Sequence, residues 1–83
     1  PMLSPFELNK ELIKLEDQKE LILNYFDGEG KLSFNNLLPI MKTRLEIIVT
    51  FLAILDLVKE GVCKLYQPDV FSDIQLLNLK FDS

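Results

Sequence analysis

The chain has no histidine and a single cysteine, Cys63, among its 83 residues. A Ser/His/Asp or Cys/His nucleophile pair, a zinc cage and an internal disulfide each need residues it does not have, so most nucleophilic catalysis and the stapled secreted frameworks drop out together. One unpaired cysteine without a signal-like stretch fits a reducing, cytosolic compartment. Positive charge is also scarce: nine Lys and Arg stand against thirteen Asp and Glu, a net charge of −4. Duplex binding demands the opposite balance. The longest apolar stretch, residues 47–58, is broken by Thr50 and Asp56 and falls well short of the roughly 20 residues that span a bilayer. Carboxylate neighbours such as Glu16 and Asp17 have no catalytic companion in sequence and read as solvated surface. The expectation is a chain that is not an enzyme, holds no cofactor and enters no membrane.

What is abundant is hydrocarbon. Hydrophobic residues make up 48% of the chain and the mean hydropathy is +0.17, although a domain this small buries only somewhat over 60% of its unfolded surface. Part of that apolar content is expected to face a partner. Pro1 precedes Met2 where an initiator would stand first, which reads as a fragment of a longer protein whose first residues are a cloning scar. Residues 1–14 are accordingly taken as an N-terminal extension, helical and partly vector-derived, and residues 15–83 as the domain.

Ser4, Pro5, Phe6 and Glu7 combine an N-cap hydroxyl, a proline at the first helical position and a glutamate that can reach back. A second, weaker pattern, Asp17 with Glu20, predicts a helix over 17–26 after a break near 14–16, with a continuous helix over 5–26 as the alternative, since Leu8, Leu12, Leu15 and Ile22 keep a helical spacing. Asp27, Gly28, Glu29 and Gly30 reverse the chain. Lys31 and Leu32 read as a short extended piece, and Ser33 as the cap of a brief helix through Phe34, Leu37 and Leu38 that ends near Pro39. Thr43 and Glu46 form a third capping box opening the dominant helix, 44–60, with Gly61 at C′ and Lys59 in the last turn.

That helix carries two apolar stripes. Leu45, Ile48, Val49, Leu52 and Leu55 make one, and Ile47, Phe51, Ile54 and Val58 make the other; together they cover roughly 220°, where an arc of about 100° or slightly more suffices to bind a core. Beyond Gly61 the period changes to 2, predicting strands over 62–67 and 74–79 with Val70 and Phe71 in their connection. Helix, short strand, short helix, long helix and hairpin is the order of a winged-helix domain: mainly α, with three helices and a small β-hairpin as the wing (α+β).

Two tempting motifs fail on composition. The segment from Asp27 to Ser33 mimics the middle of an EF-hand loop, but the first loop position would be Tyr25 and the twelfth Asn36, so the main carboxylates are missing. A DNA-reading winged helix is the competing function, yet beyond Arg44 the start of the long helix offers hydrocarbon and Glu46, and the wing carries Pro68, Asp69 and Asp73 where phosphate contacts need Lys or Arg. Cys63, in an alternating strand, reads as a small buried hydrophobe.

The run Val49, Thr50, Phe51, Leu52, Ala53, Ile54, Leu55, Asp56, Leu57, Val58, Lys59, then Gly61, Gln67 and Phe71, Ser72, Asp73, Ile74, resembles the C-terminal signature of the bacterial kleisin family ScpA, segregation and condensation protein A. Ser33, Phe34, Leu37, Leu38 and Arg44 fit the same pattern, and the resemblance covers residues 15–76. Asp56 stands where the family usually has Glu, and Ser72 where Gly is frequent. The resemblance implies a non-enzymatic role: the C-terminal winged helix docks on the ATPase head of an SMC protein, other kleisin regions hold the second SMC subunit and a ScpB dimer, and the ring so closed serves chromosome condensation and segregation. ATP and magnesium then belong to SMC, DNA is met only through the complex, and the protein sits in the cytoplasm with the nucleoid. On this reading Ile47, Phe51, Ile54 and Val58, with Leu65, Leu77 and Leu79 of the hairpin, form the head-binding surface. Self-association of the fragment through its spare stripe is left open.

Overall fold

The computed structural model describes residues 13–80. The first helix, α1, spans Leu15–Asn24 and begins two residues ahead of the expected start. Its N-cap is Lys14 in extended backbone, with no side-chain cap. The Asp17 capping pattern is therefore not used; Asp17 and Glu16 lie inside the first turn, where their charge complements the helix dipole. The extended Lys14 confirms a break there, and the cap at Ser4 lies outside the described residues.

After the turn at Asp27, strand β1 spans Lys31–Ser33. The short helix that follows is in fact a pair of 3-10 turns, Phe34–Asn36 and Leu38–Ile40. Ser33 occupies the N-cap position without capping, because its hydroxyl donates instead to the Asp73 carboxylate, which also accepts from the Asn35 amide. Pro39 lies within the second 3-10 segment, which ends at Ile40, one residue beyond it, close to the expected end.

The long helix, α2, spans Arg44–Lys59 between its read signals. The Thr43 hydroxyl accepts from the Glu46 amide at 3.1 Å. At the other end Gly61, at φ 78°, donates to the Val58 carbonyl and Val62 to that of Leu57, the paired bonds of a Schellman motif. Strands β2, Cys63–Tyr66, and β3, Gln75–Asn78, form the expected hairpin. The sheet is larger than that hairpin: β1 pairs antiparallel with β3 on its other side, giving the order β1-β3-β2.

Ile22 of α1, Leu37 between the 3-10 turns, Ala53, Ile54 and Leu57 of α2, and Leu76 of β3 are each at most 2% exposed and share one core. Cys63 is buried with them. Thr50 is the one buried polar side chain among the described residues, and its hydroxyl accepts from the Gln18 amide of α1 at 2.8 Å. Beside it Lys19 reaches across to Asp56 at 2.8 Å and Glu60 at 3.0 Å, with Glu16 at 3.4 Å. The hydrogen bond to Asp56, then that to Glu60, holds the Lys19 ammonium well above the usual lysine range. These polar ties fix the rotation of α1 on α2, and so decide which sides of α2 stay open.

Candidate docking surface

An α-helix with apolar residues on every side is normally covered all round. α2 is not: its covered face is Thr50, Ala53, Ile54 and Leu57. Neither sequence stripe is the inward one as a unit, and this face runs between them. Ile48, Leu52 and Leu55 of the first stripe are exposed, with Leu45 and Val49 half-buried. The second stripe divides. Ile47 and Phe51 are exposed, at 36% and 40%, Val58 is half-buried against the core, and Ile54 is 1% exposed within it. Ile54 thus anchors α2 and offers no surface.

Phe51 does not hang free. Its ring meets that of Phe34 edge to face, with centroids 6.2 Å apart and planes at 80°, a favoured aromatic geometry that holds one large side chain in one place. Ile47 lies one turn before it on the same flank and Val58 two turns after.

The hairpin residues sit on opposite faces of the sheet. Leu65 stands opposite Leu76 in the register and packs against the core. Leu77 stands opposite Lys31 on one side and Lys64 on the other, so it belongs to the outer row, an apolar side chain between two cations. Leu79, just beyond β3, is exposed. The expected residues therefore do not form one patch. Ile47, Phe51 and Val58 share a flank of α2, Leu77 and Leu79 lie with the sheet's outer side, and Ile54 and Leu65 face inward.

The most exposed large apolar side chains among the described residues are not among those the sequence pointed to. At the wing tip Phe71 is 95% exposed and Val70 72%. The loop beneath them is tied down: the Gln67 amide donates to the carbonyls of Val70 and Ser72, and the Ser72 amide to Asp69. Asp73 anchors its far end to Ser33 and Asn35. Alternation could not flag Phe71, which lies in a connection; the available signal was its place in the run Phe71, Ser72, Asp73, Ile74.

The mimicked cation loop has another use. The Asp27 carboxylate accepts from the Lys31 and Glu29 amides at 3.0 and 2.8 Å, and those backbone bonds, Lys31 first, hold it below the usual carboxylate range. Among the described residues no cluster of His, Cys, Asp or Glu is arranged to hold a metal ion, and no helix is long and apolar enough to cross a membrane.

Helices in this order, a sheet closed by a short first strand and a wing after the long helix define a winged-helix domain. The chain belongs to the family of segregation and condensation protein ScpA, whose model matches residues 2–79. The match includes the segment ahead of Leu15 that the signature run leaves out. Segregation and condensation protein A of Halothermothrix orenii is 36% identical over 72 residues, 84% of this chain and 30% of that protein. The protein of the same name from Clostridium acetobutylicum is 31% identical over 72 residues, 87% of this chain and 29% of its own length. A third, from Clostridium botulinum strain Eklund 17B, is 34% identical over 61 residues, 74% of this chain and 24% of that protein. The chain thus spans less than a third of the relatives it matches. No solved structure matches it significantly.

Proposed function

We propose that these residues are the protein-docking module of a kleisin, which binds the ATPase head of an SMC protein and through it serves chromosome condensation and segregation at the nucleoid. The observation that carries the reading is a winged helix whose long helix exposes hydrocarbon where a DNA reader places polar and basic groups: Ile47, Ile48 and Phe51 stand open in its N-terminal half. The anchors are Phe51, braced by Phe34, with Ile47 and Val58 beside it, and Phe71 at the wing tip. Leu77, flanked by Lys31 and Lys64, and Leu79 just beyond it supply the outer side of the sheet. Large aromatic side chains held in one conformation lose little freedom on binding, the usual character of an interface hot spot. Contact with ScpB and the bridging of two SMC subunits, which the resemblance assigns to other kleisin regions, belong in this reading to the longer chain.

Capture of the isolated SMC head by the tagged chain tests this. Phe51→Asp, in a variant shown to stay folded, abolishes capture; undiminished capture overturns the assignment. The competing reading as a DNA-binding regulator is decided by titration with random duplex at low salt. The proposal expects no binding, and measurable affinity with a steep salt slope contradicts it.

A further inference from the structure

Phe71 protrudes at 95% exposure, so the fold gains almost no burial from keeping it in place, yet the loop that carries it is fastened at both ends. At the near end the Gln67 amide donates to the carbonyls of Val70 and Ser72, at 3.2 and 2.6 Å. At the far end the half-buried Asp73 carboxylate accepts from the Ser33 hydroxyl and from the Asn35 amide, the latter at 3.2 and 3.1 Å to its two oxygens. Between those two donors the Phe34 amide donates to the Ile74 carbonyl at 2.9 Å. Two consecutive residues of the wing thus grip three consecutive residues of the turn after β1. Hydrogen bonds to a carboxylate are roughly twice as strong as neutral ones, so Asp73 supplies the strongest of these ties. Phe34, in the middle of the grip, is the residue whose ring braces Phe51. The wing tip and the aromatic pair on α2, distant in sequence, therefore share one support.

We infer that Asp73 is a positioning residue of the docking surface: by locking the wing to the turn at residues 33–35, it presents Phe71 at a fixed place relative to Phe51. The inference rests on the docking reading above and adds to it how the two anchors act together. Asp73 need touch no atom of the partner in this role. An anchor already held in its bound place loses little freedom on association; without the Asp73 tie the tip is ordered only on binding, and affinity falls.

The test is a calorimetric titration of the isolated SMC head with the 83-residue chain and its variants, each first shown by its melt to be folded. Asp73→Ala is expected to weaken binding about tenfold, and Asp73→Asn, which keeps an oxygen acceptor for both donors, to recover most of the loss. In a Phe71→Ala chain the same Asp73→Ala step should change affinity about twofold or less, because the anchor it positions is gone. Equal losses in the two backgrounds overturn the inference, since Asp73 would then act on the fold as a whole or by its own contact. Unchanged affinity in Asp73→Ala overturns it as well. Should Asp73→Ala fail to fold, Ser33→Ala leaves the carboxylate on the Asn35 amide and is expected to show the same dependence on Phe71 at smaller size; no loss there overturns the inference. Failure of the intact chain to bind the head is a separate outcome, which overturns the docking reading and this inference with it.

Discussion

Asp27 shows how a residue can carry one pattern and perform another task. Its carboxylate closes the turn into β1 by accepting two backbone amides, bonds that favour the ionised form. Because the folded value is depressed, this contribution is present above the ordinary carboxylate pKa and is lost as the pH falls through the folded one. Asp27→Asn keeps an acceptor but not the charge. Thermal melts of the two proteins should differ most near neutral pH and converge only as the pH falls below the ordinary carboxylate range, and a constant gap throughout would place the effect elsewhere. Gly61 was legible for a different reason: φ 78° is a conformation that glycine adopts freely. A Cβ there would meet nothing within 4 Å, so Gly61→Ala should cost only the backbone penalty, about 1–2 kcal/mol in denaturant unfolding. Ser33 went the other way. Its capping signal is real, but Asp73, forty residues on, takes the hydroxyl, and no local pattern announces a partner at that distance.

At the scale of elements, α2 was bounded correctly because its ends are written in local chemistry, Thr43 before and Gly61 after. Its orientation was not legible. With apolar residues nearly all round, the helix has no phase to read, and the inward face fell between the two stripes, centred on Thr50, whose small polar side chain is accommodated by Gln18. Ile54 and Phe51 separate the two roles. Ile54→Ala should cost about 2–5 kcal/mol of stability, a large share of what a domain this size has. Phe51→Ala, 40% exposed and paired edge to face with Phe34, should cost less than Ile54→Ala: about 0.5–1.5 kcal/mol for the aromatic pair plus the burial of its covered part. Urea titrations of both variants distinguish these outcomes, and equal losses would mean that Phe51 is a core residue. The third strand was half legible: Lys31 and Leu32 read as extended, but pairing with Leu77 and Leu76 spans more than half the chain, and only the assembled fold brings them together.

For the whole molecule, the deficit of basic charge and the excess of hydrocarbon acquire locations. The excess lies on α2 and at the wing tip, where Phe71 stands 95% exposed on a loop braced by Gln67 and Asp73. Of the hairpin residues expected at the surface, Leu65 turns inward against the core while Leu77 and Leu79 stay on the outer side, because alternation tells which residues share a face but not which face meets the core. What remains is a small winged helix with a hydrophobic flank and a hydrophobic tip, the arrangement on which the proposed docking to an SMC head rests. The most direct test of that claim is a calorimetric titration of the purified SMC ATPase head with the chain and with Phe51→Ala. The account predicts saturable binding at one module per head, weakened about tenfold or more in the variant. Absence of binding by the intact chain, or equal affinity for the two, would contradict it.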